Sequence, residues 1–176
     1  MCRSLSALLT FACCLTGCAN HPVQPLPTVE SVDLKSYMGT WYEIARLPNR
    51  FQEVCAGDTQ ARYRLEGDLV RVTNRCRKAD GTITTAEGRA RSVAGSSNSK
   101  LRVSFFRPFY GDYWVLALDP GYQWVLVGEP RRKYAWILSR KPLLDETTIA
   151  ALLDQAAEQG FDRAAFQRTP QARPLD

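Results

Sequence analysis

Between residues 40 and 140, apolar and polar side chains alternate with a period of two, in short runs broken by turn residues. This is the pattern of antiparallel strands with one buried face. The runs predict strands at 40–47, 59–66, 69–77, 82–93, 99–106, 112–119, 122–128 and 134–140, and eight is the number that closes a small barrel. Gly67-Asp68, Asp80-Gly81 and Pro120-Gly121 supply the backbone angles of tight connections between neighbours. After the last run the period changes. Asp145 can cap a helix in which Ile149, Leu152, Leu153 and Ala156 recur at helical spacing before Gly160 ends it. The predicted fold is all-β: an eight-stranded antiparallel up-and-down barrel with one C-terminal α-helix packed outside. Residues 161–167 are expected to add a short edge strand.

The alternation also assigns faces. With Trp41 pointing in, Glu43, Ala45 and Leu47 follow it, and Tyr42, Ile44 and Arg46 face out. Pairing across Gly67-Asp68 sets Tyr63 opposite Val72, with Ala61, Leu65, Val70 and Asn74 on the same inner face. Arg62, Arg64, Arg71, Arg75 and Arg77 then all lie outside, a clean split that supports the register. They form a basic stripe, read either as a solvated sheet face or as a surface for anionic headgroups. Ala86, Gly88 and Ala90 leave volume inside. Leu101, Val103 and Phe105, then Tyr113, Val115 and Ala117, then Trp136 and Leu138, complete an apolar, aromatic lining of the kind a hydrophobic ligand requires. The first loop, 48–55, and Arg107-Pro108-Phe109-Tyr110-Gly111 form the open end. Phe51, Phe106, Phe109 and Tyr110 there serve either to grip a ligand tail or to make a homodimer contact.

The N-terminus carries Arg3 and then an apolar run too short to span a bilayer, so residues 1–17 read as a removable targeting segment. Leu15-Thr16-Gly17-Cys18 resembles the bacterial lipobox, which implies acylation of Cys18 and an N-terminal lipid holding the chain to a membrane. Ala19 in place of aspartate favours the outer membrane and its periplasmic face. Residues 18–31, with Pro22, Pro25 and Pro27, read as an extended tether, followed by one domain over 32–170. Of six cysteines, only Cys55 and Cys76 remain once the leader is removed and Cys18 is occupied. In an oxidising compartment such a pair reads as a disulfide, since a metal site needs more ligands and a redox centre a closer spacing. The formal charge of +5 drops by one with Arg3, a mild bias that does not point to nucleic acid.

Gly39-Thr40-Trp41-Tyr42-Glu43-Ile44-Ala45-Arg46 resembles the Gly-x-Trp signature of the lipocalin family. Leu118-Asp119-Pro120-Gly121-Tyr122 is similar to the family's Thr-Asp-x-x-Tyr motif, with Leu118 and Pro120 as departures, and Trp136-Ile137-Leu138-Ser139-Arg140 is similar to its C-terminal arginine motif. The resemblance covers roughly residues 33 to 168 and is closest to bacterial lipocalins and apolipoprotein D. It implies that Gly39, Trp41, Asp119 and Arg140 close one end of the barrel, with the Arg140 guanidinium over the Trp41 ring.

The resemblance further implies a binding protein. Tyr63 and Trp136 match ligand-contacting aromatics of apolipoprotein D, and Tyr113, Phe105, Val103, Val72, Asn74, Glu43 and Ala45 complete the expected ligand-binding set. The expected ligand is a fatty acid or lysophospholipid, bound, stored or transferred in envelope maintenance. No cofactor, metal or catalytic residue is expected. His21 is the only histidine and lies in the tether, so no histidine-based triad can form in the barrel. Two other readings compete: a structural envelope lipoprotein with an incidental cavity, and a lipocalin-type isomerase, which needs Cys55 or Cys76 as a free thiol.

Overall fold

The computed structural model describes residues 25–175. The targeting segment 1–17, Cys18 and the tether as far as residue 24 lie outside them. A short helix α1 (Leu34–Tyr37) precedes eight strands, β1 (Gly39–Arg46), β2 (Cys55–Glu66), β3 (Leu69–Lys78), β4 (Ile83–Ser92), β5 (Lys100–Phe106), β6 (Phe109–Leu118), β7 (Trp124–Gly128) and β8 (Ala135–Ser139). Each strand is antiparallel to the next, and β1 pairs with both β8 and β2, which closes the barrel. Helix α2 (Glu146–Glu158) follows, then a two-residue strand β9 (Gln167–Arg168) on β1. The edge strand expected over 161–167 is therefore shorter and later, because Asp162 caps a 3-10 turn at Arg163–Ala165.

Asp145 caps α2 by accepting from the Thr148 N–H at 2.8 Å. The helix buries Ile149, Leu152 and Ala156 against Ile44, Leu116, Leu126 and Ile137 on the outer face of the barrel, each large side chain contributing about 1.5–3 kcal/mol. This contact alters the strands beneath it. The β1–β8 register slips between Glu43 and Ala45, and the β6–β7 register slips between Val115 and Ala117. Each bulge turns two successive residues, Ile44-Ala45 and Leu116-Ala117, toward the helix, where all four are buried. Ala45, Leu47 and Ala117, expected inside, are thus in the helix-facing layer. Arg46, expected outside, pairs directly with Trp136, whose ring packs with the interior cluster, so it is carried to the inner face.

The chain entering the barrel is docked rather than a spacer as far as Ser31. Leu26 and Val32 are buried, the Val29 N–H donates to the Val115 carbonyl at 2.9 Å, and the Val32 N–H to that of Ser97 at 2.9 Å. Beneath the barrel, α1 delivers Tyr37 and the chain turns back through Gly39. A β-carbon at Gly39 would stand 3.2 Å from an Arg140 nitrogen, and its φ of +100° is one that side chains rarely adopt. Arg140 lies with its guanidinium carbon 3.9 Å from the centroid of the Trp41 ring and donates to the Ser36, Thr40 and Tyr122 carbonyls at 2.7, 3.0 and 3.2 Å. Asp119 holds the adjoining turn by accepting from the Gly121 and Gln123 N–H groups. The four residues assigned to the closed end are together there.

Candidate functional site

The inner face changes character along the barrel axis. Near α1, the inward residues Trp41, Val70, Val72, Ala90, Leu101, Val115, Val125 and Val127 are all buried. Toward the opposite end, Asn74, Val103 and Trp136 are half-buried, and Ala86 and Gly111, which the register places on the same face, are exposed. The barrel is therefore sealed at one end and open at the other.

Three tyrosines form the floor. The Tyr37 and Tyr113 hydroxyls are 2.7 Å apart and those of Tyr63 and Tyr113 3.1 Å apart, with the Tyr37 ring 5.0 Å from Trp41. Burial raises the Tyr63 phenol to about 12 and those of Tyr37 and Tyr113 well above their ordinary value. All three stay neutral, so the floor offers hydroxyls without charge. Val72, Ala90 and Val103 form the walls above it, and Asn74 lies higher on the Val72 face.

At the open end, the first loop folds over the barrel through a 3-10 turn at Arg50–Gln52. Gln52 pins it. Its amide nitrogen donates to Glu43 Oε2 at 2.6 Å, and its carbonyl oxygen accepts from Trp136 Nε1 at 2.9 Å and Asn49 Nδ2 at 2.8 Å. The other Glu43 oxygen accepts from the Thr169 hydroxyl. Burial pushes the Glu43 carboxyl up, against the pull of Thr169, Gln52 and Arg46. The Arg46 side chain makes no hydrogen bond among the described residues; its ionic partner is Glu43 Oε1, 3.7 Å from its Nε.

Gln52, Thr169 and the inward Arg46 were not legible as site residues. Nothing in the first loop distinguishes Gln52, Thr169 lies beyond the helix, and a bulge leaves no pattern in the alternation. The β5–β6 register slips between Val103 and Phe106; Phe105 there is 43% exposed, and its ring lies against Gly88, where a β-carbon would meet it at 2.8 Å.

The C-terminal chain completes the wall. β1 and β2 pair only from Gly39 to Tyr42, and residues 169–173 fill the gap beyond. Gln171 Nε2 bridges the Glu43 and Thr59 carbonyls at 2.9 Å each, and the Asp58 N–H donates to the Pro170 carbonyl at 2.7 Å. The Asp58 side chain, 3% exposed, accepts from Arg77 Nε at 2.6 Å and from the Arg173 N–H at 2.8 Å. Burial alone would raise this carboxyl, but Arg77 and Arg173 together hold it below its ordinary value. Its stabilising effect is therefore complete above the unfolded value near pH 3.9 and is lost as pH falls through the lower folded value. Asp58→Asn, which tolerates the native φ of +50°, should cost about 2 kcal/mol at pH 7. It should also flatten the fall in thermal midpoint below about pH 4; an unchanged slope would discount this anchor.

The rim carries exposed apolar groups: Phe51, Val54, Phe106, Phe109 and Tyr110, with the Phe106 and Phe109 rings stacked at 6.3 Å. Cys55 and Cys76 form a disulfide with Cα atoms 5.6 Å apart, joining the end of the first loop to β3. The isomerase reading loses its free thiol by this bond. In the basic stripe, Arg71 is engaged by Glu66 through two hydrogen bonds, at 2.7 and 3.0 Å, and Arg77 by Asp58.

A barrel closed at one end by a stacked tryptophan, lined with apolar side chains and open at the other, defines a protein that encloses small molecules. The Lipocalin-like domain model matches residues 32–171, and the chain belongs to the lipocalin family. It is 39% identical over 165 residues to the outer membrane lipoprotein Blc of Escherichia coli K12, covering 92% of this chain and 93% of that protein. It is likewise 39% identical to temperature-induced lipocalin-1 of Arabidopsis thaliana over 156 residues, covering 84% and 83%, and 33% identical to mouse apolipoprotein D over 175 residues, covering 92% and 86%. Among solved structures, insecticyanin from the tobacco hornworm Manduca sexta aligns with a TM-score of 0.68 at 23% identity, covering 87% of this chain and 86% of that one, which shows the shared fold.

Proposed function

We propose that this protein is a lipid-anchored outer-membrane lipocalin that binds a single-tailed hydrophobic amphiphile, a fatty acid or lysophospholipid, inside its barrel, and that it performs no catalytic step. The observation that carries this reading is the axial gradient of the inner face, from a buried aromatic floor to an open mouth with apolar walls between them. Such a shape desolvates a tail while leaving a head near water. The lipobox at Leu15-Thr16-Gly17-Cys18 and the similarity to an outer membrane lipoprotein support attachment through Cys18. The anchor would keep the mouth within reach of a bilayer that holds such ligands, with the N-terminal segment docked from Leu26 onward at the barrel surface.

The test is mass spectrometry of the protein extracted from its own membrane under native conditions, followed by lipid analysis after denaturation. The expected result is about one amphiphile per barrel and a Cys18→Ser form released to the soluble fraction. A barrel that comes out empty, and takes up no added fatty acid or lysophospholipid, would return the reading to a structural lipoprotein with an incidental cavity. The same spectrum reports whether the exposed rim pairs two copies.

A further inference from the structure

The bulge in β1 turns a cation to the inner face of the barrel, and one of its N–H groups has no hydrogen-bond partner among the described residues. Arg46 is only 14% exposed. It shares its face with the neighbouring Trp136, its Nε is buried without a hydrogen-bond partner, and the Glu43 carboxylate oxygen paired with that Nε stands at 3.7 Å, on a group already bonded to Thr169 and Gln52. Leaving a guanidinium N–H buried without a partner is costly. A ligand oxyanion that accepted from it would form a charge-assisted hydrogen bond of about 2.7–2.9 Å and remove that cost. Arg46 ends β1 at the open end, about five residues above Trp41, or roughly 12–16 Å along a tilted strand. A head held there leaves the barrel depth for a tail.

We propose that Arg46, with the Gln52 and Trp136 side chains beside it, forms an anionic-head subsite that makes the pocket selective for single-tailed amphiphiles bearing a carboxylate or phosphate. Glu43 opposes this selectivity. It stands on the same cation and must share it with the incoming anion. The head is at the mouth and the tail points toward Val72, Ala90 and the tyrosine floor. This inference rests on the proposed binding function and specifies its ligand chemistry.

The test uses the full mature chain carrying Cys18→Ser, with the fluorescent polyene cis-parinaric acid and its methyl ester as probes at pH 7.5. Wild type should bind the acid about tenfold more tightly than the ester, equivalent to about 1.4 kcal/mol. Arg46→Gln should abolish that preference by weakening the acid alone, Arg46→Lys should retain most of it, and Glu43→Gln should strengthen acid binding. Equal affinities for acid and ester in wild type, or equal losses of both in Arg46→Gln, overturn the subsite while leaving the binding function intact. Binding of neither probe by wild type removes the binding function and the subsite with it. Should Arg46→Gln fail to fold, the acid-to-ester ratio in wild type, Arg46→Lys and Glu43→Gln still decides. Displacement of the bound acid by an equimolar monoacyl phospholipid assigns a phosphate head, and resistance to it assigns the free carboxylate.

Discussion

Trp41→Ala should lower unfolding free energy by about 3–5 kcal/mol, the range for truncating a large buried aromatic. The ring has no solvent exposure. It donates from Nε1 to the Tyr37 carbonyl at 2.9 Å, packs on Tyr37 and is covered by Arg140. Removing it opens a cavity and takes away the π face on which the cation rests, a contact of about 0.5–2 kcal/mol. For a domain of this size the loss corresponds to a fall of roughly 6–20 °C in thermal midpoint. Trp41→Phe, which keeps most of the apolar volume and loses the indole hydrogen bond, should cost clearly less. Urea titrations of the two variants check this. A loss below about 1 kcal/mol in Trp41→Ala would mean that the closed end is stabilised by α1 and Arg140 alone, not by the ring between them.

Breaking the Cys55–Cys76 disulfide should have the next largest effect. The bond spans a sequence separation of 21, and a loop of that length corresponds to about 3 kcal/mol in chain-entropy terms. β2 carries two register irregularities between Cys55 and Gln60, so this end of the strand depends on the covalent link and on the C-terminal segment at Asp58. A Cys55→Ala/Cys76→Ala variant should unfold at lower denaturant, and wild type with excess reductant should converge on the same curve. The bond also fixes the end of the loop that carries Gln52, so hydrogen exchange should rise first over residues 50–57. Equal stability of the double variant and wild type would contradict the expected contribution.

Much of the barrel was legible because its information is local. Period-two alternation survives wherever one strand face is wet, so β2, β3 and β4 appear, with Tyr63 against Val72 as expected and Ala86, Gly88 and Ala90 on the face of Asn74, Val72 and Val70. The turns were readable because Gly, Asp and Pro constrain φ within a few residues, and α2 because Asp145 and Gly160 bracket a helical period. The closed end was visible through residue identity: Gly39, Trp41, Asp119 and Arg140 are types that a stacked, hydrogen-bonded plug requires.

What escaped was decided by contacts between elements distant in sequence. Ile44 and Ala45, like Leu116 and Ala117, are adjacent apolar residues whose order is compatible with regular alternation. Only the packing of α2, a hundred residues after β1, makes a doubled outward step favourable there. That step carries Arg46 inward, where no alternation rule would place a cation. The closure of the β1–β2 gap by residues 169–173 is of the same kind, since the tail has no periodicity and is ordered by Glu43, Asp58 and Thr59. Local pattern and residue type determined a barrel, a helix, a disulfide and a sealed end. The tertiary structure decided which side chains the open end presents to a ligand, because bulges and tail docking take their energy from surfaces that meet only when the chain has folded.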